Sequence, residues 1–145
     1  MRVTEPPEAT NTALLLMMLG RRIREQAETA LRAEGLSMRQ LSVLGHLAHQ
    51  PGLSYSELAR RDGITVQSMQ STLLQLEKAG AVQRLTEPGR GRTADLQVTV
   101  EGRKLLDRGR RVLRAADQQL EKAIGAEASG QMATSAMKAL IALKE

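Results

Sequence analysis

Residues 54–102 read SYSELARRDGITVQSMQSTLLQLEKAGAVQRLTEPGRGRTADLQVTVEG, and the spacing of apolar residues and breakers in this stretch decides the fold. Ser54 with Glu57 three residues later is a capping-box pattern, in which the hydroxyl accepts from one unpaired N–H and the carboxylate from another. The helix it opens turns Leu58 and Ala59 inward and Arg60, Arg61 and Asp62 outward. Gly63 supplies the positive φ that ends it. Ile64 plugs the turn, and Thr65 caps a second helix. That helix runs to about Ala79, with Val66, Met69, Leu73 and Leu76 as one buried stripe.

Gly80 closes the second helix. Ala81–Thr86 and Ala94–Val100 then alternate as two strands. Between them lies Glu87-Pro88-Gly89-Arg90-Gly91-Arg92-Thr93, a hairpin tip with three breakers and two arginines. Short helix, tight turn, second helix and basic hairpin is the order of a winged helix-turn-helix. Off the buried stripe lie Gln67, Ser68, Gln70, Ser71 and Gln75. These uncharged donors and acceptors are either a solvated face or a face that reads bases, with Gln suited to the N6/N7 edge of adenine.

Outward from this unit the pattern is helical. Residues 1–10 contain Pro6-Pro7 and read as a flexible tail. Asn11 to Glu34 form a first helix, stopped by Gly35, with Leu14, Leu15, Met18, Leu19, Ile23, Ala27, Ala30 and Leu31 facing the core or a partner. Leu16 and Met17 widen that surface beyond one stripe, as expected where a second chain covers it. Ser37 and Gln40 form another capping box, starting a helix through about His49 with Met38, Leu41, Leu44, Leu47 and Ala48 on its core face. Beyond the hairpin, Thr99 caps a long helix to about Ile124. Leu105, Leu106, Val112, Leu113, Ala116, Leu120, Ala123 and Ile124 make its apolar face. Gly125 breaks it, and Glu127–Lys144 is a last amphipathic helix. The fold class is mainly α with a small β wing. The winged helix-turn-helix domain spans 36–102, and residues 11–35 and 103–145 form a helical dimerisation region.

The chain has 145 residues, net charge +5 and a pI near 10.2. Residues 81–114 hold nine basic against four acidic side chains, so the charge is concentrated. A basic balance fits a polyanionic partner. One Tyr, no Phe and no Trp argue against the aromatic platforms of single-strand and RNA binders. No cysteine excludes disulfides and thiolate chemistry. The apolar run Ala13–Leu19 is too short to cross a bilayer, and the cytoplasm is the expected location, with no membrane partner. His46 and His49 invite a metal reading, but no third ligand has supporting spacing. They are expected to be helix-surface or pocket-wall residues, with no metal and no cofactor. The chain has no paired carboxylates, nucleophile–base pair or phosphate loop of meaningful spacing, and is not expected to be an enzyme.

The chain resembles the MarR (multiple antibiotic resistance regulator) family of bacterial transcription regulators over nearly its whole length. The motifs are Leu36-Ser37-Met38-Arg39-Gln40, Ser56-Glu57-Leu58-Ala59, and Leu76-Glu77-Lys78-Ala79-Gly80-Ala81-Val82-Gln83-Arg84. Glu87-Pro88 and Val98-Thr99-Val100-Glu101-Gly102-Arg103 complete them. The resemblance implies a homodimer on the double-stranded DNA of a palindromic operator, acting as a repressor released by a small anionic or phenolic ligand. Gln67, Ser68, Gln70, Ser71 and Gln75 would then face bases, and Arg90 and Arg92 would serve the minor groove from the wing. Ser37, Arg39, Ser54, Ser56 and Arg60 would hold phosphates. The ligand crevice would lie between the dimerisation helices and the winged domain, walled by Met18, Arg22, His46 and His49. Where the family often carries arginines this chain has Ser71 and Gln75, so adenine-leaning or water-mediated readout is expected. Arg90 replaces the usual wing Asp while Arg92 is kept, which predicts a more mobile wing with stronger phosphate attraction. A helical dimer whose winged fold serves protein contact rather than DNA is the alternative.

Overall fold

A computed structural model describes residues 11–85 and 95–144. The elements are α1 (Thr12–Ala33), α2 (Met38–His49), α3 (Tyr55–Asp62), α4 (Val66–Lys78), β1 (Val82–Arg84), β2 (Leu96–Val98), α5 (Val100–Ile124) and α6 (Ala126–Ala142). The strands form a two-stranded antiparallel sheet, with Val82 opposite Val98 and Arg84 opposite Leu96. Both strands are shorter than expected. Val100 belongs to α5, because the Thr99 hydroxyl accepts the Gly102 N–H and starts the helix there. The expected tail 1–10, the strand residues Thr86 and Ala94, and Arg90 and Arg92 lie outside the described residues.

The core is an aliphatic cluster at the centre of the chain. Leu31 and Leu36 enter it from α1 and its exit, Val43, Leu44 and Leu47 from α2, and Leu58 from α3. Met69, Leu73 and Leu76 come from α4, Leu96 from β2 and Leu106 from α5. Each buried Leu or Met contributes roughly 1.5–3 kcal/mol relative to exposure. α2 packs against α1, α3, α4, α5 and β2, so its buried arc is wider than a single stripe. This is why Val43 is buried against expectation, while Ala48, on the stripe by spacing, is exposed. On α4, Val66 is exposed although it lies on the apolar stripe. Thr72 is buried in its place, its hydroxyl satisfied by the Ser68 carbonyl at 3.0 Å.

The outer helices are different. On α1 only Ala27 and Leu31 are buried. Leu14, Leu15, Leu16, Met17 and Met18 are about half to two-thirds exposed in the single chain. α5 buries only Gly102, Leu105, Leu106 and Gly109, and Leu113 and Ile124 are exposed. None of the described side chains of α6 is buried, although Met137, Leu140 and Ile141 are large and apolar. No described helix is long and apolar enough to cross a membrane.

Candidate nucleic-acid interface and crevice

The helix-turn-helix is set by its caps. Gly63 adopts φ +66°, and its N–H returns to the carbonyls of Ala59 and Arg60. Ile64 closes the turn by donating its N–H to the Ala59 carbonyl at 3.0 Å. The Thr65 side chain then accepts the Ser68 N–H and starts α4. Asp62 does not face out as expected. Its side chain is 10% exposed, and its Oδ1 accepts the Ser42 hydroxyl at 2.8 Å and lies 3.4 Å from His46 Nε2. A carboxylate at the end of α3 can sit there because α2 supplies these two polar partners across the gap.

The outward face of α4 carries Gln67, Gln70, Ser71 and Gln75, all exposed, one above another along the helix. Ser68 is half-buried, and its Oγ accepts from the Thr65 hydroxyl at 3.0 Å. Gln75 Oε1 accepts from Gln40 Nε2 at 3.3 Å, so its amide is tied to α2. The expectation missed Leu74 and Lys78, which complete the stripe by their spacing from Gln67 and Gln70. Leu74 is 51% exposed, an apolar side chain in the middle of a polar face.

The expected phosphate residues divide. Ser37, Arg39, Ser56 and Arg60 are exposed. Ser37 completes a full capping box, its Oγ accepting the Gln40 N–H at 3.1 Å while Gln40 Oε1 accepts the Ser37 N–H at 2.9 Å. The box at Ser54 is only half made. Ser54 Oγ accepts the Glu57 N–H, but the Glu57 carboxylate takes the Ser54 hydroxyl proton at 3.1 Å instead of the backbone N–H. Ser54 is half-buried and its hydroxyl proton is already used, so it does not join the exposed set.

The root of the wing is braced to α4 and α3. Arg84 Nε donates to Glu77 Oε1 at 3.1 Å, and the guanidinium lies 5.7 Å from the centre of the Tyr55 ring. Burial raises the Tyr55 phenol pKa above its ordinary value, opposed by the positive charge of Arg84 and assisted by the negative charge of Glu77.

A crevice of about 820 Å³ opens between α1, the start of α2, the helix-turn-helix and α5. Arg24, Glu28 and Arg32 line it from α1, Ser37, Arg39, Leu41 and Ser42 from α2, and Asp62 and Ile64 from the turn. Ser68, Ser71, Thr72 and Gln75 of α4 and Leu113 of α5 complete the wall. Three guanidinium groups and two carboxylates line it, and the first turn of α2 adds its partial positive charge. Of the expected ligand residues, none of Met18, Arg22, His46 and His49 lines this crevice. It lies further along α1, where Ala27 and Leu31 bring that helix against the core. His46 turns to Asp62 and His49 is exposed. Among the described residues no three His, Asp or Glu side chains come together to hold a metal ion.

A family model described as the MarR family matches residues 34–93. The chain is 40% identical over 103 residues to the HTH-type transcriptional repressor Rv2887 of Mycobacterium tuberculosis, spanning 71% of this chain and 74% of that protein. The crystal structure of the M. tuberculosis MarR family protein Rv2887 in complex with DNA superposes with a TM-score of 0.77 at 31% identity, covering 89% of this chain and 97% of that one. The same protein in complex with salicylic acid gives a TM-score of 0.73 at 33% identity, covering 90% and 97%. With a winged helix-turn-helix between exposed apolar helices, and with that degree of identity over most of a relative's length, the chain belongs to the MarR family of transcription regulators.

Proposed function

We propose that the protein is a dimeric, sequence-specific DNA-binding repressor released by a small anionic ligand. The observation that carries the reading is the exposed polar stripe on α4, with Gln67, Gln70 and Ser71 held outward by a helix whose opposite side buries Met69, Thr72, Leu73 and Leu76. These groups hydrogen-bond base edges, Gln favouring adenine, and Leu74 suits a thymine methyl. Ser37, Arg39, Ser56 and Arg60 hold the backbone and set the register. Arg90 and Arg92 reach the minor groove from the wing. A second copy covers the exposed apolar faces of α1 and α6, joining residues 11–35 and 103–145 of two chains. This sets two recognition helices about one DNA turn apart, roughly 34 Å.

Release follows from shared residues. Ser68, Ser71 and Gln75 belong both to the proposed reading face and to the crevice wall. An anion held by Arg24, Arg32 and Arg39 therefore sits against the recognition helix. It weakens DNA binding by its differential affinity for the DNA-bound and DNA-free arrangements. The relative's complex with salicylic acid supports a carboxylate ligand of that size.

The test is a titration into labelled DNA from upstream of the protein's own gene, beside a scrambled duplex, across a salt series with and without salicylate. We expect a steep salt dependence equivalent to roughly six to ten neutralised phosphates, preference for the upstream duplex, and weaker binding with salicylate. Binding that ignores salt and sequence would refute the DNA reading. Indifference to salicylate and other aryl acids would refute the ligand.

A further inference from the structure

The side-chain amide of Gln75 is turned by a relay of hydrogen bonds that begins at a backbone atom. The Ser37 N–H donates to Gln40 Oε1 at 2.9 Å. A backbone N–H can only donate, so the atom it meets is the amide oxygen, and the other end of Gln40 is its NH2. That Nε2 donates to Gln75 at 3.3 Å, so the atom of Gln75 held by α2 is Oε1. The acceptor of Gln75 is thereby committed, while its own NH2 makes no hydrogen bond among the described residues. The fork that Gln offers adenine needs oxygen and nitrogen side by side at the base edge, and here α2 holds the oxygen. Gln75 also stands apart from the other glutamines of α4. Eight positions on from Gln67, it lies about 80° round the helix from that residue, on the side of α2. There Ser37, the N-cap of α2, and Arg39 in its first turn are exposed on the same crevice wall as Gln75. Ser37 Oγ accepts the Gln40 N–H, and no described bond uses its hydroxyl proton.

We infer that Gln75 contacts a DNA backbone phosphate rather than a base, and that Gln40 is the positioning residue that fixes it as a donor. The inference rests on the DNA-binding reading proposed above and deepens it. It divides the polar side of α4 into base readers, Gln67, Gln70 and Ser71, and one member of a phosphate clamp shared with Ser37 and Arg39. The clamp brings together a hydroxyl proton, a guanidinium and an amide NH2, and a phosphate oxygen only accepts. A guanine edge also accepts. The positive charge of Arg39 and the partial positive charge of the α2 N-terminus, however, favour an anion over a neutral base at this place. An amide N–H on a charged acceptor is worth about tenfold in affinity. Glu at position 40 separates the two roles of Gln40. A Glu closes a capping box as Gln does, but it has only acceptors. Gln75 then turns its NH2 toward the new carboxylate and presents its oxygen to the phosphate.

The experiment measures the Kd of the full-length protein by fluorescence anisotropy for wild type, Gln75→Ala, Gln40→Glu and the double variant, each checked for fold by circular dichroism. The probes are the upstream duplex, its single-base-pair variants and a scrambled duplex, across a salt series. Expected in Gln75→Ala is a loss of about tenfold, by the same factor on every duplex, because a phosphate contact carries no sequence information. The salt slope stays that of wild type, since a neutral amide releases no counterion, whereas Arg39→Ala lowers it by about one. Gln40→Glu should weaken wild type about tenfold more than it weakens Gln75→Ala; the comparison subtracts the added negative charge, which acts in both backgrounds. A loss in Gln75→Ala confined to one base pair would overturn the phosphate assignment and return Gln75 to the base readers. Unchanged affinity in Gln75→Ala would overturn the contact itself. Equal effects of Gln40→Glu in the two backgrounds would overturn the positioning role of Gln40. Wild type that binds neither duplex at low salt would overturn the DNA reading, and this inference with it.

Discussion

The joint between α5 and the wing has no room for a methyl group, and the cost of adding one can be worked from its neighbours. In Gly102→Ala the new Cβ would fall 2.0 Å from the Ala81 carbonyl oxygen and 2.8 Å from Val98 Cγ1, where ordinary contact begins at 3.4 Å. The obstructing atom is backbone, and that same carbonyl accepts the Thr99 N–H at 3.0 Å. The strand root must therefore retreat by more than an ångström and loosen a hydrogen bond that helps start α5. Overpacking of this kind costs about 1–3 kcal/mol, and the weakened bond about 1 kcal/mol more. Alanine's better helix propensity offsets about 1 kcal/mol. The net loss is about 1–3 kcal/mol, a fall in Tm of roughly 3–10 °C for a chain of this size. Gly109→Ala is the control. Its Cβ would approach Leu41 Cδ1 at 2.5 Å and Leu36 Cδ2 at 2.8 Å, but these are side-chain ends that can rotate. There the helix gain and the packing cost nearly cancel, within about 1 kcal/mol. Thermal denaturation at one fixed protein concentration, needed because dimerisation couples to stability, compares the two variants. If Gly102→Ala proves as stable as wild type, or Gly109→Ala the more damaging, the reasoning from backbone against side-chain obstruction is wrong.

Tyr55 is the only tyrosine, so tyrosinate absorbance titrates one group. Arg84→Met should raise its pKa further and Glu77→Gln should lower it, because the two charges act in opposite directions on the phenol. The native phenol holds its proton more tightly than the unfolded one. Its contribution to stability is therefore intact below about pH 10 and is lost as pH rises through the folded pKa, which urea denaturation across alkaline pH would detect. Ser37→Ala removes the acceptor for the Gln40 N–H in a complete capping box. It should cost about 1 kcal/mol of stability in denaturant unfolding, and Ser37→Gly only a few tenths. Leu140→Asp places a charge on the uncovered apolar face of α6, where Leu140 is 67% exposed in the single chain. In sedimentation equilibrium it should shift dimer toward monomer with the helix content kept; an unchanged dimer would place the interface elsewhere.

The order of the helices, the four N-caps formed by Ser or Thr, and the helix-turn-helix itself were legible in the sequence. Those signals are local: a hydroxyl three residues before an N–H, a glycine at positive φ, an apolar stripe of fixed period. Gly63 and Thr65 behave as their chemistry dictates because nothing distant competes with them. Ser54 is the instructive failure, since the pattern was right but Glu57 took the hydroxyl proton rather than the backbone N–H. The tertiary structure alone decided what depends on elements far apart in the chain. Val43 is buried and Val66 exposed because of which neighbours surround each end of each helix. The crevice lies at Arg24, Arg32 and Arg39 rather than at Met18 and the histidines because α1 meets the core only near Ala27 and Leu31. Asp62 read as a surface charge, since periodicity along α3 carries no information about Ser42 and His46 on another helix. Local caps are written in neighbouring residues, whereas a polar site is written in long-range packing, and that packing decides which charges face each other.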